Sequence, residues 1–287
     1  MKMKQLVLVG GITAMAFLGS AAFGGAPVGP PMALMGEGQW GVGIEFGMEE
    51  MDLGASGTMT EISGPSVTST DELFDVEDLE SNMIFGNLAY GICDNWDVFV
   101  RLGAANAEDD IRTGPGEVPL TFDGSYGFAW GIGSRATLCR SGAWSFGSIL
   151  QVTWVDPGDD SSAGSGTEDG VPATWTDDID IDYWQAQAAL AAIYQVDLWS
   201  VWVGPFLQFV DGDLDQERNW AEVGGLNTGS NVASLDLEQE SEFGVLFGAG
   251  YEVSSEWNLW LEGQWSDDSW LFGIGAMFTP EDIFAGM

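Results

Sequence analysis

In the stretch Asp94–Gly103, DNWDVFVRLG, apolar and polar positions alternate strictly after a turn signal. Trp96, Val98, Val100 and Leu102 fall on one face, with Asp97, Arg101 and Gly103 on the other. Period-two alternation predicts a half-buried β-strand, which in a soluble sheet has one wet face. The pattern recurs. Trp40 opens WGVGIEFGM, Trp144 opens WSFGSILQVTW, Trp199 opens WSVWVGPFLQF and Trp257 opens WNLWLEGQW, and the positions two, four and six places on are mostly apolar. The last four of the five tryptophans follow the short turn segments CDN, CRSGA, VD and SSE. A second alternating run follows each of these strands. Ten strands are thereby predicted, at 40–50, 82–93, 96–106, 124–139, 144–155, 182–196, 199–210, 241–254, 257–266 and 269–279. Four connections, 51–81, 107–123, 156–181 and 211–240, are long and polar, and the intervening turns hold only a few residues.

The two faces differ in bulk. Over 124–139, Tyr126, Phe128, Trp130, Ile132, Ala136 and Leu138 oppose Gly127, Ala129, Gly131, Gly133, Arg135 and Thr137. Over 241–254, Phe243, Val245, Phe247, Ala249, Tyr251 and Val253 oppose Glu242, Gly244, Leu246, Gly248, Gly250 and Glu252. Glycine and alanine cannot fill a soluble barrel's core, so the bulky face is expected to meet lipid. Strands of about ten residues match a tilted membrane strand, and an even count with short turns at one end suits a closed transmembrane barrel. The five tryptophans then mark the periplasmic interface.

Composition supplies the address. Residues 1–24 carry a basic head at Lys2 and Lys4, an apolar stretch from Leu6 to Leu18 and the small residues Ser20-Ala21-Ala22, which reads as a secretory signal; a buried helix is the alternative. No later apolar run is long enough for a membrane helix, so an exported chain of this kind is either secreted or crosses a membrane as a closed barrel. The net charge is −38 with no histidine, and removal of the two lysines, the only ones in the chain, takes it to about −40. That charge repels nucleic acid and anionic lipid and attracts small cations. Disorder, the usual reading of extreme charge, conflicts with 14 Trp, 16 Phe and 45% hydrophobic residues.

With ten alternating strands, a tryptophan girdle and an export signal, the chain resembles the outer-membrane β-barrel proteins of Gram-negative-type bacteria. The resemblance covers nearly the whole chain and is architectural. It implies a periplasmic segment at 25–39, an all-β, closed, antiparallel up-and-down barrel at 40–279 and a tail at 280–287. It also implies insertion by the outer-membrane machinery among outer-membrane lipid, and a porin or small structural-barrel role. Such proteins commonly end on an aromatic residue; here Phe278 closes the last strand and TPEDIFAGM follows. Pro205 sits inside a strand with no free edge, where a bulge is expected.

Near mid-height, Glu45, Asn87, Arg101, Arg135 and Glu262 point inward, with Glu252 sharing their parity. They form either an ion-pair network neutralising buried charge or a charged constriction. Phe85, Phe99, Trp202, Phe206 and Trp260 are expected to fill the lumen, and the inward glycines to leave space or relieve crowding. Ten strands lie near the closed end of the range, so any pore is narrow.

In the polar connections, Asp211, Asp213, Asp215 and Glu222 occupy positions 1, 3, 5 and 12 of a calcium-loop pattern, but Gln216 stands where that loop needs glycine. Bound Ca²⁺ is therefore a weak expectation, and no other cofactor is indicated. Cys93 and Cys139 share inward parity near successive periplasmic turns and form either a disulfide or two free thiols. Catalytic outer-membrane barrels such as the omptins use a histidine, which this chain lacks, so catalysis is not expected. Two functions remain open. One is a narrow, porin-like, cation-preferring channel; the other is a non-conducting structural or surface-interaction barrel with acidic loops. The oligomeric state is not legible.

Overall fold

The computed structural model describes residues 26–111, 120–168, 171–224, 227–239 and 243–280. The signal segment 1–24 and the tail from residue 281 lie outside them. The strands are β1 (Trp40–Ser63), β2 (Ser66–Cys93), β3 (Trp96–Ile111), β4 (Leu120–Ser141), β5 (Trp144–Asp156), β6 (Asp160–Glu168), β7 (Val171–Val196), β8 (Trp199–Glu222), β9 (Thr228–Glu238), β10 (Phe243–Ser254), β11 (Trp257–Ser266) and β12 (Ser269–Phe278). Ten of them close a ring through antiparallel pairs, in the order β1-β2-β3-β4-β5-β7-β8-β10-β11-β12 and back to β1. Closure satisfies every strand edge within the membrane, where no water could do so.

The outer wall follows from the alternation. Val42, Ile44, Val100, Leu102, Ile132, Val201, Val203, Phe247, Leu259 and Ile274 all stand exposed on it. Trp40, Trp96, Trp144, Trp199 and Trp257 each begin a strand and point outward at one end. Four of them are paired across the ladder with an aromatic ring ending the neighbouring strand: Trp40 with Tyr90, Trp144 with Tyr194, Trp199 with Tyr251 and Trp257 with Phe278, at 4.6–5.0 Å between centroids. A second belt holds the stacked Trp130–Trp154 pair, 4.1 Å apart, with Trp184 in register beside Trp154. From Trp144 to Trp154 is ten residues of β5, or about 34 Å of strand, which at a tilt of 35–45° spans roughly 24–28 Å of membrane. That is the height of a lipid-facing band. The protein is a transmembrane β-barrel.

Over the described residues the long polar connections are mostly strand. Residues 51–81 continue β1 and β2 as one hairpin, 156–181 supplies β6 and the upper part of β7, and 211–240 supplies the upper part of β8 and β9. The short hairpins of β10, β11 and β12 stop at the membrane boundary. Above them β9 takes their place, pairing with β8 on one side and with β1 on the other. The sense of the faces inverts there. On β7, Leu190 and Tyr194 face lipid while Gln185 and Gln187 are buried inside; higher up, Ile179 and Ile181 are buried and Asp178, Asp180 and Asp182 face out. Water rather than hydrocarbon surrounds the extension, so the ordinary arrangement returns, with an apolar core and a charged exterior.

No bulge forms at Pro205. Val203 pairs with Ala192 and Phe206 with Ala189 in one continuous register, and the ladder simply omits the two positions between them, where proline has no N–H to give.

Candidate functional site: the lumen and the extracellular collar

Of the segment 25–39, expected in the periplasm, residues 26–35 instead lie inside the barrel, while Glu37 and Gly38 are exposed. Ala26, Val28 and Met35 are all at or below 2% exposure. This stretch has no regular structure, so its backbone groups need partners, and inward side chains of the wall supply them. Glu262 accepts from Val28 N–H at 2.7 Å and Gly29 N–H at 2.8 Å. Asp97 Oδ2 accepts from Leu34 N–H at 2.6 Å and Met35 N–H at 3.2 Å. Arg101 donates to the Pro27 carbonyl at 2.7 Å, Gln151 to that of Ala26 at 2.9 Å, and Thr137 Oγ1 accepts from Ala33 N–H at 3.2 Å. The glycines of the wall make room. A Cβ at Gly91 would lie 1.8 Å from the Gly36 carbonyl oxygen, and one at Gly147 would lie 2.0 Å from that of Pro31.

Five of the six candidate charge-cluster residues, Glu45, Asn87, Arg101, Arg135 and Glu262, are buried within the lumen at 5% exposure or less. Arg101 lies 3.6 Å from Glu45 and directly opposite Asn87 across the β2–β3 ladder. Its guanidinium sits over the rings of Phe85 and Phe99, at 5.1 and 5.7 Å. Arg135 pairs with Asp97 at 3.1 Å and covers the other part of Phe99 at 4.6 Å. Each cation thus has both a carboxylate and an aromatic face, a desolvated arrangement that water could not provide. Glu252 is not part of this cluster. It follows Tyr251, which pairs with Trp199 at the aromatic belt, and it is exposed at the periplasmic rim.

Asp97, Glu49 and the glutamine ladder were absent from the candidates drawn from sequence. Asp97 shares Arg101's parity four residues earlier, and that parity was the available signal. Gln185 donates to Glu49 at 2.7 Å, Gln151 to Gln187 at 3.1 Å, and Gln187 to Gln264. These contacts join β1, β5, β7 and β11, and no spacing within one strand reveals them.

Aromatic side chains occupy much of the lumen. Phe85, Phe99, Trp202, Phe206 and Trp260 are buried. Of the two roles open to the inward glycines, these relieve crowding: a Cβ at Gly133 would be 2.2 Å from Phe99, and one at Gly275 2.3 Å from Trp260. Above Glu49, where β9 replaces three strands, an apolar layer crosses the interior; it includes Met51, Leu53, Leu79, Ile181, Leu214 and Leu237, each within 1% of complete burial.

The cysteines and the calcium-loop residues do not form the sites considered for them. Cys93 and Cys139 are free thiols. β3 lies between their strands, and its Trp96, opposite Cys93, faces Ala136 rather than Cys139. Two strand spacings, about 9.5 Å, exceed what a disulfide spans. Asp211, Asp213, Asp215 and Glu222 lie along β8, which is extended throughout. Seven residues of strand, roughly 23 Å, separate Asp215 from Glu222, so they cannot wrap one ion. Among the described residues no cluster of acidic, histidine or cysteine side chains is disposed to hold a metal.

The acidic residues form a collar instead. Asp182, Asp180 and Asp178 on β7 stand directly opposite Asp213, Asp215 and Glu217 on β8, with Asp236 of β9 beside Asp213. Loss of solvent and then the neighbouring carboxylates raise the pKa of both Asp180 and Asp182 above the ordinary value of 3.8.

No protein-family model matches the chain, and no curated protein matches it. Similar solved structures are outer-membrane barrels. OprG from Pseudomonas aeruginosa is 11% identical with a TM-score of 0.43, over 86% of this chain and 98% of that one. The outer-membrane protease OmpT from Escherichia coli is 10% identical with a TM-score of 0.41, over 84% and 97%. The Ralstonia pickettii toluene transporter TbuX is 12% identical with a TM-score of 0.32, over 90% and 95%. At these values the likeness extends no further than barrel type.

Proposed function

We propose that this protein is an outer-membrane barrel that works at its extracellular face, as a surface-interaction protein, and does not conduct through its lumen. One observation carries the reading. The apolar layer from Met51 to Leu237 and the hydrogen-bonded segment 26–35 close the interior at two successive heights. An apolar barrier in so narrow a passage stays dry and stops ions. The extension above the membrane presents a rigid acidic collar, which gathers small cations and repels polyanions.

A narrow, cation-preferring channel is the second reading. It is favoured by the four buried carboxylates, Glu45, Glu49, Asp97 and Glu262, which outnumber the two guanidiniums, Arg101 and Arg135, in the spanning interior. It requires both closures to move. Planar-bilayer recording of the refolded full-length chain in potassium chloride separates the two. Surface interaction expects no unitary steps. Steady steps whose reversal potential favours potassium would overturn it in favour of the channel.

A further inference from the structure

At the top of the extension, above the apolar layer, β6, β7, β8, β9 and the tip of β1 surround a cavity of about 960 Å³. Its lining includes Trp175, Trp220, Gly164, Gly229, Ile62 and Ser230. Trp175 and Trp220 are direct cross-strand partners, so both project from the same, inner face. Beside them in register stand Gly164 on β6 and Gly229 on β9. Both rings are laid down over these glycines. A Cβ at Gly164 would lie 2.7 Å from Cε2 of Trp175, one at Gly166 2.8 Å from Cη2 of the same ring, and one at Gly229 2.5 Å from Cζ2 of Trp220. No other residue would let the two indoles lie flat on the sheet. One side of each ring meets backbone; Trp220 is only 7% exposed, so the half-buried Trp175 is the ring that the cavity reaches, with Arg218 over part of it.

A polar partner stands next to this floor. Asp177, 3% exposed, holds Arg218 through two hydrogen bonds of 2.7 and 3.0 Å, and the guanidinium carbon lies 5.5 Å from the centre of the Trp175 ring. Arg218 keeps 30% of its side chain exposed. The pair is electrically balanced, and its exposed member, Arg218, offers N–H donors beside the Trp175 ring. That combination suits a ligand with one apolar C–H face and a rim of hydroxyls, since the electron-rich face of an indole attracts polarised C–H groups. A purely apolar ligand would strip water from the ion pair without replacing its hydrogen bonds. An anionic ligand would meet the collar of Asp178, Asp180, Asp182, Asp213, Asp215, Glu217 and Asp236 and find Arg218 already compensated.

We infer that the cavity floored by Trp175 and Trp220 binds a neutral pyranose unit of a glycan, with Arg218, held in place by Asp177, hydrogen-bonding its hydroxyls. This rests on the surface-interaction reading and gives it a ligand class. The test uses the full-length protein refolded in lauryldimethylamine oxide, since a maltoside detergent would itself present the ligand. Maltohexaose, cellohexaose and the hexamer of N-acetylglucosamine serve as neutral probes and oligogalacturonate as the anionic one, followed by calorimetry and saturation-transfer NMR. At least one neutral hexamer binds and oligogalacturonate does not. Trp175→Ala weakens binding by about tenfold or more, the loss of a well-packed aromatic contact, whereas Trp175→Phe retains most of it. Arg218→Gln, a change at an exposed side chain, also weakens it, which keeps the test valid if the tryptophan variant misfolds. No binding by any neutral hexamer overturns the inference, as does preference for the anionic probe or indifference to all three substitutions. Conductance of the same preparation separates the two proposals. A silent barrel without sugar binding removes only this inference, and a conducting barrel that binds sugar removes only the sealed-lumen reading.

Discussion

Replacing Glu262 by glutamine tests whether the N-terminal segment is held by the wall or merely rests in the lumen. The carboxylate accepts from two successive backbone amides, Val28 N–H and Gly29 N–H, one on each oxygen. Glutamine keeps the shape but presents one oxygen and one NH₂, so one of the two buried N–H groups must face another donor. Leaving a buried donor unsatisfied costs about 1–3 kcal/mol, which increases the undocked population roughly 5- to 150-fold. Asp97, which holds Leu34 and Met35, is untouched by the change, so loss should be confined to the upper part of the segment. Amide hydrogen exchange of the refolded protein in bicelles measures it. Protection of the peptide containing Val28 and Gly29 should fall by that factor while the strands β1–β5 keep theirs. Unchanged protection would mean that Glu262 does not anchor the segment. Uniform loosening of the strands would mean that the residue supports the barrel itself.

Other consequences are equally direct. Val100→Arg places charge on the lipid face, where Val100 is 45% exposed between Leu88 and Ile132, and should cost about 2–4 kcal/mol in urea unfolding from vesicles. An unaffected midpoint would put the wrong face in lipid. Gly133→Ala should cost about 1–3 kcal/mol by driving a methyl into Phe99, and Phe99→Leu in the same chain should recover part of the loss. Additive losses would show that the two positions do not touch. Because Asp180 and Asp182 have raised pKa values in the fold, the folded collar binds more protons than the unfolded chain above pH 3.8. Its stability should therefore fall as pH rises through that window and recover on acidification or added salt, read as hydrogen exchange over residues 211–217 after correction for intrinsic rates. Greater protection at neutral pH would reverse the assigned sign.

The sequence by itself determined the membrane-spanning barrel. Lipid on one side imposes a strict rule on every second residue, and the tryptophans that begin β1, β3, β5, β8 and β11 mark where the rule starts. It also determined which mid-strand residues point inward, because parity along a strand is local; near the strand ends, where the register shifts, Glu252 and Cys139 are exposed instead. Tertiary structure alone decided what inward residues meet. Inward glycines such as Gly133 and Gly275 could leave space or relieve crowding as read along their strands; aromatic rings from the neighbouring strands β3 and β11 occupy both positions. The segment 26–35 has no periodicity to betray it; its place in the lumen depends on acceptors scattered over β3, β4 and β11. The acidic connections read as loops because their outer face is polar. DDIDID at 177–182 nevertheless alternates as well as any membrane strand, with Ile179 and Ile181 turned inward. What inverts at the membrane boundary is the solvent. A strand's outer residues must suit hydrocarbon below that line and water above it, and only the folded barrel shows where along each strand the line falls.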